Sequence, residues 1–417
     1  MLAMLRRRDF ALLWLAGVVS RVGDWLLFVA LPYHVYELTG SALATGAALS
    51  SYNVARVLFS PVAGIVVDRT DRRRLVILTN IAGAATVCPL LLVTTPERVW
   101  IAPVAVFVLA CLAFMHVPAD GALVAELVPA ERLVAANALH GATFNAAALA
   151  GPVLGGAAVA LWGFPAVVVG DALSFLAAAA LVAAIRLRPT TARAGDEAAR
   201  RSALEEWRAA AAVVRGSPRA RAVFAVGWVV MVGYGALGVL TVVFVREVLG
   251  GGPPELGWVT TAAGVGGLAG TLAVASVAGA VPAGRLAATS LLGAGGCYAL
   301  AFNGGSLPLA VAALGAAGAC TALWTVGERT LVQRAVPGAF LGRTLGATAT
   351  LSGLLILLGT GVGSAAADAV GVAPVLTAVA ALYAAAGVLA ALLLGRTGDA
   401  DARAATGEAA GSPAPTR

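Results

Sequence analysis

The sequence has no lysine, only three histidines and only four cysteines among its 417 residues. The cysteines lie singly inside apolar runs, which argues against a disulfide framework or a zinc site and favours small apolar filling. His34, His116 and His140 are too scattered along the chain to indicate a metal centre. Without lysine no nucleotide-binding loop of the G-x-x-x-x-G-K-S/T type can form, and no G-x-S-x-G nucleophile elbow is present. We therefore expect no enzymatic activity, no cofactor and no metal site.

Charge is scarce as well. Only 12% of the residues are charged and 60% are hydrophobic, whereas a soluble domain is about 25% charged and about 45–50% apolar. So few charges cannot cover the water-facing surface of a soluble protein of this length. A helix that spans a bilayer needs roughly 20 apolar residues, and the chain is long enough for many of them. The composition therefore predicts a membrane protein that crosses the lipid bilayer several times.

The apolar runs fall into two sets of six, which predicts an all-α membrane protein with twelve transmembrane helices in two pseudo-symmetric six-helix bundles. The runs cover about residues 10–32, 43–66, 75–94, 99–119, 138–161, 164–186, 221–245, 256–280, 285–303, 307–330, 341–366 and 372–395. The domains predicted from them are an N-terminal bundle (1–186), a cytoplasmic linker (187–220), a C-terminal bundle (221–395) and a disordered cytoplasmic tail (396–417). In the linker, Ser202 and Glu205 have the spacing of a capping box, which predicts a short amphipathic helix.

The two halves also resemble each other in sequence. A shift of 208 residues brings glycines of the first half onto glycines of the second, and the Val-Pro pair at 128–129 onto the pair at 336–337. The matched glycine pairs are Gly151 with Gly359, Gly155 with Gly363, and Gly163 with Gly371. Repeated six-helix halves are one architecture of secondary transporters, in which the substrate site lies between the halves.

All 28 basic residues are arginines, and the formal net charge is +7, which admits either a nucleic-acid partner or an asymmetric membrane topology. With the N-terminus in the cytoplasm and the spans alternating, 23 arginines fall in cytoplasmic segments and only Arg98 and Arg246 in outer loops. Arginine collects on the cytoplasmic side of membrane helices. The count therefore predicts a multi-pass protein of the bacterial cytoplasmic membrane with both termini inside, and no nucleic-acid partner. Arg21, Arg56 and Arg329 are left within spans.

The segment after the second apolar run reads GIVVDRTDRRR, with Gly64, Asp68, Arg69, Arg72 and Arg73 at its main positions. It resembles the G-x-x-x-D-R-x-x-R-R signature that the major facilitator superfamily carries between its second and third helices. The resemblance implies a cytoplasmic gate, because an Asp and an Arg at a helix end can latch one half against the other through charge-assisted hydrogen bonds. A purely topogenic arginine cluster is the alternative, but it does not account for Gly64 and Asp68.

The fifth apolar run contains Gly151-Pro152-Val-Leu-Gly155-Gly156. This is similar to the G-P-x-x-G-G core of the motif found in antiporters of the same superfamily, with Ala147 in place of an earlier glycine. The resemblance implies export by antiport. The alternative is an ordinary face of small residues that packs against a neighbouring helix.

Segments at 20–41, 127–137 and 333–343 are similar to the macrolide-efflux and enterobactin-exporter branch of the superfamily. The resemblance extends over about residues 6–395 and is not specific for a substrate. It implies a secondary active transporter that works as a monomer in the lipid bilayer, binds a small amphipathic molecule (a drug, siderophore or secondary metabolite) and exchanges it for protons. A facilitator or an importer on the same fold, or a membrane protein that transports nothing, are the alternatives.

Charged residues within the spans are candidates for proton coupling, because a charge at the bilayer centre costs roughly 2.5–3.5 kcal/mol and usually faces a cavity or a partner. Asp24 and Arg56 lie at mid-depth in the first two helices and are able to pair, but Arg21 is a rival partner one turn away. Asp24 is either a proton-binding carboxylate or half of a permanent ion pair. Asp171 is a second proton-site candidate, with simple hydrogen bonding as the alternative, and we expect Asp120 to meet water or the arginine-rich gate.

Aromatic and amide side chains within the spans are candidates for lining a substrate cavity, because they suit amphipathic cargo. Helix packing is the alternative for each of them. The candidates are Asn53, Phe144, Asn145, Trp228, Tyr234 and Trp324.

Overall fold

The computed structural model of the chain describes residues 5–129, 132–186, 212, 214–277, 281–336 and 338–410. Side chains are described within these ranges except at 60–65, 68, 69, 134, 275–277, 334, 338–343, 345–347, 349 and 395–410. Most of the predicted linker, including Ser202 and Glu205, lies outside the described residues.

The described residues form twelve long helices, as the apolar runs predict. Ten are α1 (Arg8–Thr39), α2 (Ala42–Arg69), α3 (Arg72–Val87), α4 (Ile101–Leu127), α7 (Pro218–Glu247), α8 (Pro253–Val277), α9 (Ala283–Asn303), α10 (Leu307–Ala335), α11 (Gly338–Val370) and α12 (Val372–Ala410). The other two, α5 (133–162) and α6 (164–183), form the continuous run Leu133–Ala183, which divides at Gly163. Short 3₁₀ turns at Cys88–Leu92 and Pro96–Arg98 connect α3 to α4.

Ten of the described helical segments are long and apolar enough to cross a membrane. One of them, Ala135–Ala183, contains both α5 and α6. The helix α2 is not among the ten, which are drawn from the described residues only, and its side chains at 60–65 lie outside these. The helix α2 carries Tyr52, Asn53 and Arg56 near its middle, which lowers its hydropathy. A polar helix in a membrane protein is expected to face a cavity or neighbouring helices, because lipid cannot satisfy polar side chains.

Local sequence signals place the turns between helices. Gly40 ends α1 with a left-handed φ of 60°, and its N–H donates to the carbonyl of Tyr36 at 2.8 Å. The next residue, Ser41, caps α2 by accepting a hydrogen bond from the backbone N–H of Ala44 at 3.1 Å. Asp71 caps α3 in the same way, since its Oδ1 accepts from the N–H of Arg74 at 2.8 Å.

The internal repeat is visible in backbone geometry. Gly163 joins α5 to α6 with φ 79°, and Gly371 joins α11 to α12 with φ 88°; the two lie 208 residues apart, the shift found in the sequence. A second matched pair packs its partner helix in the same way. A β-carbon at Gly151 of α5 would lie 2.4 Å from the Cβ of Trp25 on α1, and one at Gly359 of α11 would lie 2.0 Å from the carbonyl oxygen of Val232 on α7.

By its internal contacts the chain divides into two compact units. The first contains residues 1–200, 238–261 and 360–372, and the second contains 201–237, 262–359 and 373–417. These bounds differ from the predicted domains, because segments from α7, α8 and α11 pack with the first six helices. The first unit has two apolar core clusters, one around Leu31 and Val168 and the other around Phe10 and Leu123.

The second unit depends on small residues between its helices. A β-carbon at Gly266 of α8 would lie 1.8 Å from the carbonyl oxygen of Gly315 on α10, and one at Gly270 would lie 2.4 Å from that of Ala319. Such contacts allow helix backbones to approach closely, which is a principal source of helix association in membranes.

The C-terminal segment differs from the sequence prediction. The helix α12 continues to Ala410, whereas the tail at 396–417 was expected to be disordered; residues 411–417 lie outside the described ones. Residues 399–410 include six alanines, and alanine has the highest helix propensity of all residues, which is the physical reason for the continuation.

Candidate transport site

Arg21, Asp24 and Phe28 occupy one face of α1 at helical spacings of three and four residues. The side chains of Asp24 and Phe28 are exposed, and Arg21 is half-buried. The guanidinium of Arg21 interacts electrostatically with Asp24, and its carbon lies 5.9 Å from the ring centre of Phe144 on α5. Two residues that the sequence singled out separately, Asp24 and Phe144, therefore both interact with one arginine.

Asp171 of α6 lies behind this face, with 1% of its surface exposed. Its Oδ1 is 3.4 Å from the hydroxyl of Ser174, and its Oδ2 has no hydrogen-bond partner among the described residues. Gly23 of α1 makes room for it, since a β-carbon there would lie 2.3 Å from Oδ1. Asp171 is close enough to Asp24 for the two carboxyl charges to interact, so the structure brings both predicted proton-site carboxyls together.

Arg56 of α2 is exposed, and no carboxylate in the described part of the chain lies within salt-bridge distance of it. Of the two partners that the sequence offered for Asp24, the structure brings Arg21 and not Arg56 to the carboxylate. Asn53, also on α2, is half-buried, and Asn145 on α5 is exposed beside Phe144.

The arginine-rich segment between α2 and α3 makes its described contacts inside the first six helices. Arg72 forms an ion pair with Glu126 of α4 at 2.5 Å. Arg73 donates to the carbonyl of Val182 at 3.2 Å and also to that of Ala183, so its positive charge lies at the C-terminal end of α6, where a cation is favourable. The Val182 carbonyl also accepts from the N–H of Ile185 at 3.1 Å. The side chains of Gly64, Asp68 and Arg69 lie outside the described ones, and their gate role stays a prediction.

The antiporter-like motif packs α5 against two helices at once. Gly151 and Gly155 face α1, and a β-carbon at Gly155 would lie 3.1 Å from the Cα of Leu26. Gly156 faces the start of α8, where a β-carbon would lie 2.2 Å from the carbonyl oxygen of Pro253. The carbonyl of Pro152 in turn approaches α8, since a β-carbon at Gly257 would lie 2.5 Å from it.

The aromatic candidates of the second unit differ in burial. Tyr234 is 60% exposed, whereas Trp324 is only 2% exposed and lies in the packed interior. Trp228 is half-buried and stacks on Phe224 at 6.3 Å between ring centres. Only Tyr234 among these three has the exposure expected of a residue that lines an open cavity.

A group of polar contacts at the turn between α1 and α2 was not foreseen from the sequence. The carboxylate of Asp368, near the end of α11, accepts hydrogen bonds from the N–H of Ala42 at 2.7 Å, the N–H of Leu43 at 3.1 Å and the hydroxyl of Ser41 at 2.9 Å. It therefore caps the N-terminus of α2, where an anion also meets the positive end of the helix dipole. We call this contact the α2 cap.

Two further contacts lie near the α2 cap. The hydroxyl of Tyr36 donates to Glu247 of α7, and Arg246 is 3.8 Å from Glu37. The polar residues of this end of α7 and α11 thus bind the turn between α1 and α2.

Two repeats of six helices, a polar face on α1 and the buried carboxyl of Asp171 between apolar helices are typical of a membrane transporter. Residues 13–252 match the family model of the Major Facilitator Superfamily, and the chain belongs to this superfamily.

Relatives and solved structures agree with this assignment. The chain is 26% identical over 376 residues to the uncharacterized MFS-type transporter YfiS of Bacillus subtilis, with 85% of each chain covered. It is 26% identical over 180 residues to macrolide efflux protein A of Streptococcus pyogenes, which covers 43% of this chain and 44% of that protein. The fold is similar to that of the nucleoside transporter NupG (TM-score 0.70, 14% identity, 92% and 98% of the chains). It is also similar to that of a bacterial homologue of the lysosomal transporter Spinster (TM-score 0.70, 15% identity, 94% and 97%).

Proposed function

We propose that the protein exports small amphipathic molecules across the bacterial cytoplasmic membrane by alternating access, in exchange for protons. The observation that carries the proposal is the group of Arg21, Asp24 and Asp171 on α1 and α6. One fixed positive charge beside two carboxyls in an apolar bundle favours the binding of a proton. Asp24 is on the exposed face of α1, where it can exchange a proton while cargo loads or leaves.

The side chains around Asp24 support the proposed cargo class. Phe28 and Phe144 are 53% and 52% exposed, so they offer apolar area next to a carboxylate and a guanidinium. A site with aromatic walls and few charged groups suits an amphipathic molecule with a polar or cationic group. The similarity to macrolide efflux protein A supports a macrolide as the first cargo to test.

Direction and coupling are tested together in inverted membrane vesicles that contain the full chain. An acid lumen is expected to drive a radiolabelled macrolide into the vesicles, and one-for-one exchange at a pH difference of about one unit supports about tenfold accumulation. An uncoupler should remove it. A facilitator would only equilibrate the uncharged form of the macrolide, so uptake is counted above that of vesicles without the protein, which corrects for trapping of a basic macrolide in the acid lumen. An importer would not exceed that level under this gradient. Ethidium is tested in parallel. Gradient-driven uptake of ethidium but not of the macrolide would mean that the macrolide is the wrong cargo, whereas uptake of neither probe would mean that there is no export.

The α2 cap is expected to hold closed the side of the transporter that bears the turn between α1 and α2, which the arginine count predicts to be the outer side. Asp368→Ala removes three hydrogen bonds to the start of α2, and loss of a helix cap costs about 1 kcal/mol. A shift of this size changes a closed-to-open ratio about fivefold. Thr45, fully buried in the first turn of α2, reports on opening when Thr45→Cys is labelled by an impermeant maleimide in a cysteine-free background.

The rate of labelling of Thr45→Cys in intact cells should therefore rise about fivefold when Asp368→Ala is added, because the open state is then about five times more populated. The matched control is Glu97→Ala, because Glu97 is an exposed carboxylate on a short 3₁₀ turn. Equal labelling rates for the two variants would contradict a closing role for the α2 cap.

A further inference from the structure

A small polar cavity lies inside the N-terminal bundle, and α1 lines it with residues between Leu13 and Ser20, about one to three turns before Asp24. Its polar lining comes from Ser20, Asn80, His116 and Asp120, and the rest of its wall is apolar. The cavity has room for about one water molecule, and a buried water needs two to four polar partners, which these four side chains supply.

The groups that line the cavity are not satisfied by each other. Asn80 is 2% exposed, and its Nδ2 donates to the carbonyl of Val76 at 2.7 Å. Its Oδ1, however, has no partner among the described residues. The Nδ1 of His116 lies 3.0 Å from the hydroxyl of Thr79. A buried acceptor without a partner costs roughly 1–3 kcal/mol, so a water at this position stabilises the bundle.

Asp120 connects the cavity to α5. Its Oδ2 lies 3.8 Å from the Nδ1 of His140, and both side chains are largely buried. The Nε2 of His140 has no partner in the described part of the chain. The backbone carbonyl of His140 accepts a hydrogen bond from the guanidinium of Arg21 at 3.3 Å. The sequence predicted that Asp120 would meet water or the arginine-rich segment, and of that segment Arg72 pairs with Glu126.

Arg21, on the face of α1 that bears Asp24, also interacts with groups at this cavity. It interacts electrostatically with Asp24, Asp120, His116 and His140. Asp171 adds a third carboxyl through its interaction with Asp24. Asp120 and Asp171 are largely buried, and burial of an uncompensated negative charge is strongly unfavourable. One guanidinium cannot compensate all three carboxylates, so charge balance favours bound protons in this group.

We propose that Asp120, paired with His140 and hydrogen-bonded to one buried water, is a second proton-binding site, and that Arg21 links it to Asp24. The proposal rests on the proton exchange put forward above and adds a site to it. When Asp24 releases its proton, Arg21 moves toward the new carboxylate and away from Asp120. Asp120 then takes up one proton from bulk water through the buried water, so one proton leaves the bundle as another enters.

The test measures carboxyl protonation directly and needs no cargo. Infrared difference spectra between acidic and alkaline buffer are recorded for the full chain in lipid nanodiscs. Asp120→Asn should remove about one carboxyl equivalent from the titrating protonated-carboxyl band, and Asp24→Asn should remove a different component, since each site binds its own proton. Asp120→Glu should restore the band at a shifted frequency. The control Glu97→Gln changes an exposed carboxyl and should leave the buried components unchanged.

The water is tested in the same samples. A water band that shifts in heavy-oxygen water should be present in the wild type and absent in Asn80→Leu, which fills the cavity and removes the free acceptor. Asp120→Asn and Asp120→Glu spectra that both match the wild type would overturn the second proton site. These spectra involve no transport, so the two proposals can fail separately. If the Asp120 band is present but no macrolide flux is measured, the proposed cargo is rejected. If macrolide flux is measured but the Asp120 band is absent, the second proton site is rejected.

Discussion

Asp24→Asn is expected to abolish gradient-driven accumulation while the protein still folds and still binds cargo. Asparagine keeps the size of the side chain but cannot take up and release a proton, so cargo movement is no longer linked to the gradient. The accumulation ratio of the macrolide in inverted vesicles with an acid lumen should fall from about tenfold to about one. Asp24→Glu, which keeps a carboxyl on the same face of α1, should retain accumulation.

The same assay distinguishes the two arginines. Arg21→Gln removes the charge that interacts with Asp24 and should impair accumulation strongly. Arg56→Gln changes a residue without a carboxylate partner in the described part of the chain and should impair it less. Undiminished, uncoupler-sensitive accumulation in Asp24→Asn would remove Asp24 as the coupling carboxyl, and Asp171→Asn would then be the next variant to measure.

Gly156→Ala is expected to reduce both stability and transport, although it adds one methyl group only. The new β-carbon would lie 2.2 Å from the carbonyl oxygen of Pro253, and neither backbone can move away without displacing its helix. Overpacking of this kind typically costs about 1–3 kcal/mol. We expect a lower unfolding temperature in detergent and at least about a tenfold loss of transport, which corresponds to 1.4 kcal/mol.

Gly141→Ala is the matched control, because Gly141 lies on the same helix and a β-carbon there meets nothing within 4 Å. Alanine is favoured over glycine inside a helix by about 1 kcal/mol, so this variant should be as stable as the wild type or more stable. Equal behaviour of the two variants would mean that the antiporter-like motif does not depend on close approach of α5 and α8.

The fold was largely predictable, because spanning a bilayer imposes a length and an apolar composition that can be read from the sequence. The contacts of Asp120 and Asp368 were not. His140 lies only twenty residues from Asp120 in sequence, but the rotation of each helix decides whether the two side chains meet, and neither apolar run shows a strong preferred face. Asp368 caps a helix that starts more than three hundred residues earlier, and no local signal links the two.

Burial of aromatic residues was unpredictable for the same reason. Trp324 and Tyr234 both lie within apolar runs, where every face is hydrophobic, yet one is in the interior and the other is exposed. The choice between Arg21 and Arg56 as the partner of Asp24 was equally open, because it depends on how α1 and α2 are turned toward each other. Helix orientation within the bundle was therefore the missing information.

The single-glycine turns at Gly163 and Gly371 bear on how the chain enters the membrane during synthesis. Only one residue connects α5 to α6, and only one connects α11 to α12. Neither connection is long enough to stay in water while one helix is inserted in the membrane and the other is not. Each hairpin must therefore partition into lipid as a pair. A ribosome-bound chain that ends between the two helices of a hairpin should remain incompletely integrated until the second helix has emerged.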